Sequence, residues 1–292
     1  LSEREGRKFY SCNTSTLSDI DRTAMVERHI VSPLLAQKQQ TTGLILSEDE
    51  TVSIMVNEED HLRIQAIVGG MNLEQAYKEA DLVDDIAYEK LIFAYDEKYG
   101  YLTACPTNAG TGMRASCMVF LPALSSARMI QKLMEEVGKY GVTIRGIYGE
   151  GTKSLGSIYQ ISNQKTLGNS EREIIDNLNR IVTQVVRQER KRREYMLSVN
   201  TDELQDQVFR SYGVLEYARQ ISSEDAMTLL SQLKFGADCG LIKFERDFNI
   251  HKLMMGVQPG SLQWTLGKNV GSATRDQSRA EYIRKELPAI TN

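Results

Sequence analysis

The apolar pattern changes character near residue 200, which limits the chain to a mixed α/β body followed by a helical one. Before that point strand-like runs alternate with helical periods. Thr51–Val56 alternates, with Val52, Ile54 and Val56 sharing one face, so a half-buried strand is expected there. Further strand-like pieces lie at Tyr99–Thr103, Cys117–Leu121, Val142–Tyr148 and Ser157–Ser162. Helices are expected over Thr16–Ile30, over Asn72–Tyr95 behind a polar cap at Asn72, and over Ser126–Tyr140, where Gly141 stops the last of them. Ser170-Glu-Arg-Glu173 has capping-box spacing and opens a helix reaching about Ser198, with Ile174, Leu178, Ile181, Val182 and Val185 in helical period. Beyond about Asn200 no strand is evident, and the apolar positions fit short helices separated by turns. The expected division is therefore an α+β catalytic body over 1–200 and a small helical domain over 201–292. With 292 residues and 41% apolar content, the chain is long enough for two such cores.

Composition excludes several classes. A net charge of −4 with 25% charged residues lacks the broad basic excess of a nucleic-acid binder. The local run Arg187, Arg190, Lys191, Arg192, Arg193 reads as the solvated end of a helix, where cations favour the negative pole. No apolar stretch approaches the roughly 20 residues of a membrane span, and no basic-then-apolar leader is present, so a cytoplasmic protein is expected. Cys12, Cys105, Cys117 and Cys239 are scattered, as reduced thiols would be. His29, His61 and His251 have no metal-ligand spacing, and no structural metal is expected.

Three dense segments carry chemistry: Asn57-Glu-Glu-Asp-His-Leu-Arg63, Cys105-Pro-Thr-Asn-Ala-Gly-Thr-Gly-Met-Arg-Ala-Ser116 and Arg145-Gly-Ile-Tyr-Gly-Glu150. Each lies just after or beside a strand-like run, where a loop can present groups from a rigid sheet. Each supplies one arginine, and Gly110, Gly112, Gly146 and Gly149 let backbone approach a ligand closely. Arginines with glutamates in such loops suggest a site that grips phosphates and a cation together. Any one segment alone also fits a solvated loop.

In order and spacing, NEEDH-x-R, CPTN-x-GTG-x-RAS and RG-x-YGE resemble the signature segments of the phosphagen kinases. Ile64-Gln65 after the first arginine, and SNQ-x-TLG at Ser162–Gly168, resemble the bacterial protein arginine kinases more closely, as does Met55 in place of a tryptophan. The likeness runs from about residue 20 to the C-terminus. It implies a glutamine-synthetase-like antiparallel sheet flanked by helices, with a small helical C-terminal domain. The family's upstream Ser-x-Arg-x-Arg segment is not in this sequence, so the chain is expected to be N-terminally truncated and, alone, weak in ATP binding.

Carried over position by position, the resemblance gives Arg63, Arg114 and Arg145 the nucleotide phosphates and His29 a nucleotide contact. Arg114, Ala115, Ser116, Cys117 and Met118 would form one nucleotide loop, and Arg145, Gly146, Ile147, Tyr148, Gly149 and Glu150 the other. Glu59 and Glu150 would hold the acceptor guanidinium and act as base. Cys105 sits where small-guanidine kinases place a thiol near the guanidinium, and a packing role is equally open to it. Glu58 and Asp60 read as solvated, and His61 as a satisfied loop histidine.

The chemistry supports this allocation. Phosphoryl transfer asks mainly for in-line positioning and charge neutralisation. Arginine supplies planar, permanently charged donors for phosphate. Mg²⁺ would sit largely on the ATP phosphates, so no metal cage is expected in the chain. A guanidinium, with a pKa above about 12, attacks poorly until a carboxylate takes its proton.

Arg275-Asp-Gln-Ser-Arg-Ala280 matches the RDxxRA motif of the protein arginine kinases. There Arg275, Asp276, Arg279 and Ala280 would belong to a phosphoarginine pocket linked to allosteric control. The same letters also fit an ordinary surface helix. The resemblance further implies protein substrates with exposed arginines, an activator protein, a link to the Clp protease and a stress-gene repressor, and a homodimer or higher oligomer. Two alternatives stay open: a kinase of free arginine or another small guanidine, and a non-catalytic phosphoarginine-binding adaptor.

Overall fold

The computed structural model describes residues 1–2, 6–38, 41–147 and 154–291. In chain order these contain β1 (Phe9–Asn13), α1 (Asp19–Glu27), α2 (Pro33–Gln37), β2 (Gly43–Ser47), β3 (Val52–Val56), β4 (Leu62–Ala66) and α3 (Leu73–Tyr88). Then follow β5 (Tyr95–Asp96), β6 (Gly100–Tyr101), β7 (Ser116–Phe120), α4 (Pro122–Ser126), α5 (Ile130–Gly138), β8 (Val142–Gly146) and β9 (Ile158–Asn163). The rest is helical: α6 (Glu171–Tyr217), α7 (Ser223–Asp238), α8 (Ile250–Gly256), α9 (Pro259–Leu266) and α10 (Ser272–Glu286). Strands β1 to β4 make one antiparallel sheet in sequential order. β5 and β6 form a short antiparallel hairpin, and a third sheet has the order β7–β9–β8. The class is α+β with a helical C-terminal region.

The described residues form two compact units. One comprises 1–117, 139–143 and 161–182, and the other 118–138, 144–160 and 183–292. In the first, β3 departs from the half-buried strand expected of it: Val52, Ser53, Ile54 and Met55 are all buried. Both faces of its sheet are covered. Val52 and Ile54 pack with Val83 of α3, while Met55 and Leu44 pack with Ile30, Val31 and Leu35. Such side chains each contribute about 1.5–3 kcal/mol on full burial, so β3 is a rigid base for the loop that follows it.

Helix limits differ from the sequence reading where local chemistry intervenes. Ser18 and Asp21 form a reciprocal capping box, so α1 begins at Asp19, and it ends before His29, whose φ is +60°. The Asn72 side chain caps α3 as expected, accepting from Gln75 N–H. That helix stops at Tyr88, because the chain then folds into the β5–β6 hairpin, with Leu102 N–H donating to Ala94 C=O at 2.8 Å. The single helix expected over Ser126–Tyr140 is two, and Arg128 between them has φ +57°.

α6 does not end near Ser198. It runs 47 residues, with non-helical angles only at Asn200. Leu204, Val208, Tyr212 and Leu215 are buried at helical spacing beyond that point, so packing carries the helix through the bend. The basic run is consequently mid-helix. Arg193 is no solvated terminus: it bonds Glu189 at 2.7 Å and Asp238 at 3.3 Å. The buried Glu189 carboxylate also accepts the N–H groups of Ala123 and Leu124, capping α4 where Leu121 offers no side-chain cap.

Candidate active site

Residues Asn57–His61 turn the chain from β3 into β4, closed by Asn57 N–H donating to His61 C=O at 2.9 Å. Asn57 adopts φ +59°, a region asparagine tolerates better than most side chains. Glu58 points inward and is 2% exposed. Its carboxylate accepts from Ser32 Oγ, from Arg63 Nη1 at 2.8 Å and from Glu59 N–H at 2.7 Å. Lys38 Nζ holds the carbonyls of Asn57 and Glu58 from outside. Burial alone pushes the Glu58 carboxyl up, but the Ser32 hydrogen bond, the Arg63 charge and the Glu59 N–H together hold it below its ordinary value. Glu59 is exposed beside it, and Arg63 stands on β4 with its side chain 45% exposed. An exposed carboxylate and a half-exposed guanidinium thus share one buried anchor.

The Cys105–Ser116 segment belongs to the same unit and is held from two sides. Asp60 Oδ1 accepts from Ala104 N–H at 2.6 Å, tying the β3–β4 turn to this loop. Asn163, at the end of β9, accepts Ala115 N–H at 2.8 Å and donates to the carbonyls of Met113 and Lys165. Thr166 donates to the carbonyls of Thr107 and Ala109. Gly110 is required: its φ is +102°, and a Cβ there would lie 2.7 Å from the Thr166 carbonyl oxygen. Held this way, Arg114 is exposed and reaches Ser162 Oγ at 3.4 Å. Ala115, Ser116, Cys117 and Met118 carry the chain into β7. Burial pushes the Cys117 thiol up to about 11, so it is not a thiolate at neutral pH. Cys105 Sγ lies 3.0 Å from Thr107 Oγ1. His29 presents its carbonyl to Gln65 Nε2 at 2.6 Å, which fixes the turn after α1 against β4.

In the second unit Arg145 is exposed on β8, and Gly146 ends that strand. Ile147 is buried, with its N–H on the Ile158 carbonyl at 3.0 Å, so only its backbone could serve a nucleotide. Tyr148, Gly149 and Glu150 lie outside the described residues.

The RDxxRA segment lies within α10, and its residues divide. Arg279, expected to grip phosphoryl oxygens, is instead 1% exposed. Its Nε donates to Val257 C=O at 2.8 Å, and Nη1 to Ile221 C=O at 2.9 Å and to Asp276 Oδ1 at 2.5 Å. A guanidinium so enclosed holds structure and orients Asp276. Ala280 is buried as well, and its methyl group has no polar atom to offer a ligand. Arg275 is only partly buried, and its Nε is shielded with no hydrogen-bond partner among the described residues.

The family model described as "ATP:guanido phosphotransferase, C-terminal catalytic domain" matches residues 2–192. The chain belongs to the ATP:guanido phosphotransferase family. It is thus a phosphotransferase by descent, and residues 201–292 match the model "Protein-arginine kinase McsB C-terminal domain". Among relatives, the protein-arginine kinase of Halothermothrix orenii is 44% identical over 287 residues, covering 98% of this chain and 82% of that one. That of Brevibacillus brevis is 42% identical over 287 residues, covering 98% and 80%. Among solved structures, the duplicated taurocyamine kinase of Schistosoma mansoni with bound transition state analog components has TM-score 0.55 and 27% identity. It aligns with 65% of this phosphotransferase, which spans 27% of that chain. Lombricine kinase aligns at TM-score 0.53 and 25% identity over 63% of this chain and 54% of its own.

Sequence reasoning missed the supports. Glu58 and Asp60 read as solvated, but one is a buried anchor and the other a loop tie. Asn163 and Thr166 stood inside a recognised segment without a role. Asn163 follows the strand-like run Ser157–Ser162 directly, and an amide at a strand end beside glycine-rich loops is the signal that could have found it.

Proposed function

We propose that this phosphotransferase moves the γ-phosphoryl group of ATP onto arginine side chains of proteins. The observation that carries the reading is the β3–β4 turn, where Glu58 fixes the backbone of Glu59 and the guanidinium of Arg63 at once. Glu59 faces the acceptor, orients its guanidinium and accepts its proton as the N–P bond forms. The bond from the γ-phosphorus to the bridging oxygen breaks, and ADP leaves with that electron pair. Glu150 shares the acceptor. Arg63, Arg114 and Arg145, with the backbone of Ala115 to Met118, Gly146 and Ile147 and a contact from His29, hold the nucleotide. Charge that develops on the phosphoryl oxygens then meets fixed cations.

Among the described residues no group of three or more His, Cys, Asp or Glu is placed to hold a metal ion. Exposed arginines instead suit a metal–nucleotide complex gripped through its phosphates. Mg²⁺, when bound, supplies further charge neutralisation on those oxygens. In the C-terminal region Arg275 and Asp276 are the ligand-facing part of a phosphoarginine pocket: the Arg275 guanidinium meets the phosphoryl group, and Asp276, held by Arg279, pairs with guanidinium nitrogens. We place the functional division near residue 200, between the stretches the two family models match.

The wider setting we propose follows from the resemblance of the sequence motifs to the protein arginine kinases: arginine-bearing protein substrates, delivery to the Clp protease, control of a stress-gene repressor, an activator protein, self-association and a cytoplasmic location. No described helix is long and apolar enough to cross a membrane. The test is phosphate transfer from labelled ATP to casein and, separately, to free arginine. Acid-labile label on protein arginine supports the reading. Label on free arginine alone assigns the chain to small guanidines, and label on neither leaves a phosphoarginine-binding adaptor.

A further inference from the structure

Arg63 and Gln65 lie two residues apart on β4 and so share one side of the sheet. Their cross-strand partners on β3, Met55 and Ser53, stand on that same side. It is the side on which Met55 packs with Ile30, Val31 and Leu35. The connection from α1 to α2, residues 28–32, crosses it and is stitched down along its length. Gln65 Nε2 donates to His29 C=O at 2.6 Å, and Ser53 Oγ donates to the next carbonyl, that of Ile30, at 2.9 Å. The two clamping side chains also meet each other, Gln65 Nε2 donating to Ser53 Oγ at 3.4 Å. Ser32 N–H reaches Met55 Sδ at 3.4 Å, and Ser32 Oγ donates to Glu58, the carboxylate that also holds Arg63. Arg28 pairs with Glu50 in the turn between β2 and β3.

The bend at His29 needs such a clamp. Its φ of +60° is left-handed, and residues with side chains keep such a backbone only where their surroundings fix it. One cross-strand pair, Ser53 and Gln65, holds the two successive carbonyls at the bend. The neighbouring pair on the same side carries Arg63. The backbone of His29 and that of Arg63 are therefore located against the same two strands. Filling space on this side is a task for an apolar side chain, as Met55 shows; only the His29 carbonyl calls for an amide donor at position 65.

We propose that Gln65, seconded by Ser53, is a positioning residue for the nucleotide: it holds the His29 bend in place relative to Arg63, so that one ATP meets the imidazole and the guanidinium together. The proposal rests on the reading that His29 and Arg63 contact ATP, and it adds what sets their spacing. Gln65 acts through the backbone of His29 and does not itself touch the nucleotide.

Calorimetry with Mg-ATP on the parent, Gln65→Met, His29→Ala and the double variant tests it. Methionine keeps the length of glutamine and removes the donor. The expected Kd for Gln65→Met is roughly fivefold or more above the parent, the scale of one lost hydrogen bond. Added to His29→Ala, the same change should raise the Kd no further. With casein as acceptor, the KM for ATP should rise by the same factor while kcat and the KM for casein stay near the parent values. An unchanged Kd in Gln65→Met overturns the proposal and leaves Gln65 a packing residue. An increase as large in the His29→Ala background as in the parent also overturns it, since Gln65 would then act on something other than His29. If Gln65→Met melts early, Ser53→Ala, which releases the Ile30 carbonyl, carries the same comparison. Casein left unlabelled while the Kd pattern holds counts against the protein-arginine reading and not against Gln65, whereas a parent that binds no Mg-ATP overturns both.

Discussion

The guanidinium of Arg63 and the carboxylate of Glu58 meet at 2.8 Å, the first 45% exposed and the second 3%. The pair is asymmetric. Water can reach the cation, while the anion is buried and accepts from Ser32 Oγ and the Glu59 N–H.

Glu58→Gln should therefore weaken both the fold and the site. One buried acceptor turned partly into a donor costs about 1–3 kcal/mol, and KM for ATP should rise with kcat falling. The pH dependence has a definite sign. Because the folded carboxyl lies below its ordinary value of 4.5, its contribution is complete above that pH and is lost as pH falls through the lower folded value. Urea melts of parent and variant should converge progressively as pH falls below 4.5. A gap that stays constant as the pH is lowered would show that the charge of Glu58 is irrelevant.

Glu59 is exposed and carries no such structural duty. Glu59→Gln should lower kcat by roughly 10²-fold or more, with Tm and ATP affinity nearly unchanged. Turnover within a few-fold of the parent would remove Glu59 from proton transfer. Glu150→Gln should behave in the same way under the proposed sharing of the acceptor.

Asn163→Ala removes the accepting and donating contacts that hold Ala115 and Met113. Each such bond contributes about 0.5–1.5 kcal/mol net. The expected outcome is a rise of roughly tenfold in the Kd for Mg-ATP, read by calorimetry, because a loosened loop must be ordered on binding. Thr166→Val should act in the same direction through Thr107 and Ala109. Unchanged nucleotide affinity in both variants would separate the clamp from the nucleotide.

Arg275→Ala and Arg279→Ala should diverge. The first should abolish binding of free phosphoarginine at the C-terminal region, with Tm within about 1 °C of the parent, as expected for a surface change. The second leaves two buried carbonyls and Asp276 without their donor, so it should destabilise by about 3 kcal/mol or more. Equal stability of the two variants would contradict the division drawn between them.

Glu189→Ala should also be costly, since it uncaps α4 and strips Arg193 of its nearest carboxylate. Loss of a cap together with a buried partner predicts about 2–4 kcal/mol, measured by denaturant unfolding. A loss below about 0.5 kcal/mol, the level of a neutral surface change, would mean that water replaces the carboxylate at the helix end.

Much of this was legible in the residues. The capping box at Ser170 and Glu173 is present, with Ser170 N–H on Glu173 at 2.7 Å, and the Asn72 cap is where its spacing put it. Such signals are local, and local chemistry reads well from sequence. What failed was non-local. Nothing within Thr51–Val56 reveals that a second set of apolar residues, Leu35 and Ile30 at 20 and 25 positions before Met55, covers the other face of β3. A helix end is expected near Asn200 because the apolar pattern changes there, yet burial at Leu204 and Val208 carries the helix on. Glu58 read as solvent-facing because a charged triplet in a turn usually is, and its burial depends on Ser32, which sits on another element. Glycine and motif spacing located the loops, but the residues that hold them came from elsewhere in the chain.

The enclosure of Arg279 bears on how inherited variation in this protein is to be read. Among the specified letters of RDxxRA, Arg275 alone lies outside both the buried core that holds Arg279 and Ala280 and the hydrogen bond that pairs Asp276 with Arg279. A substitution at Arg279 or Ala280 lowers abundance first, since cells clear chains with a disrupted core. Its phenotype therefore merges with that of a deletion, and persistence of the whole motif in a lineage reports selection for folding as much as selection for a ligand.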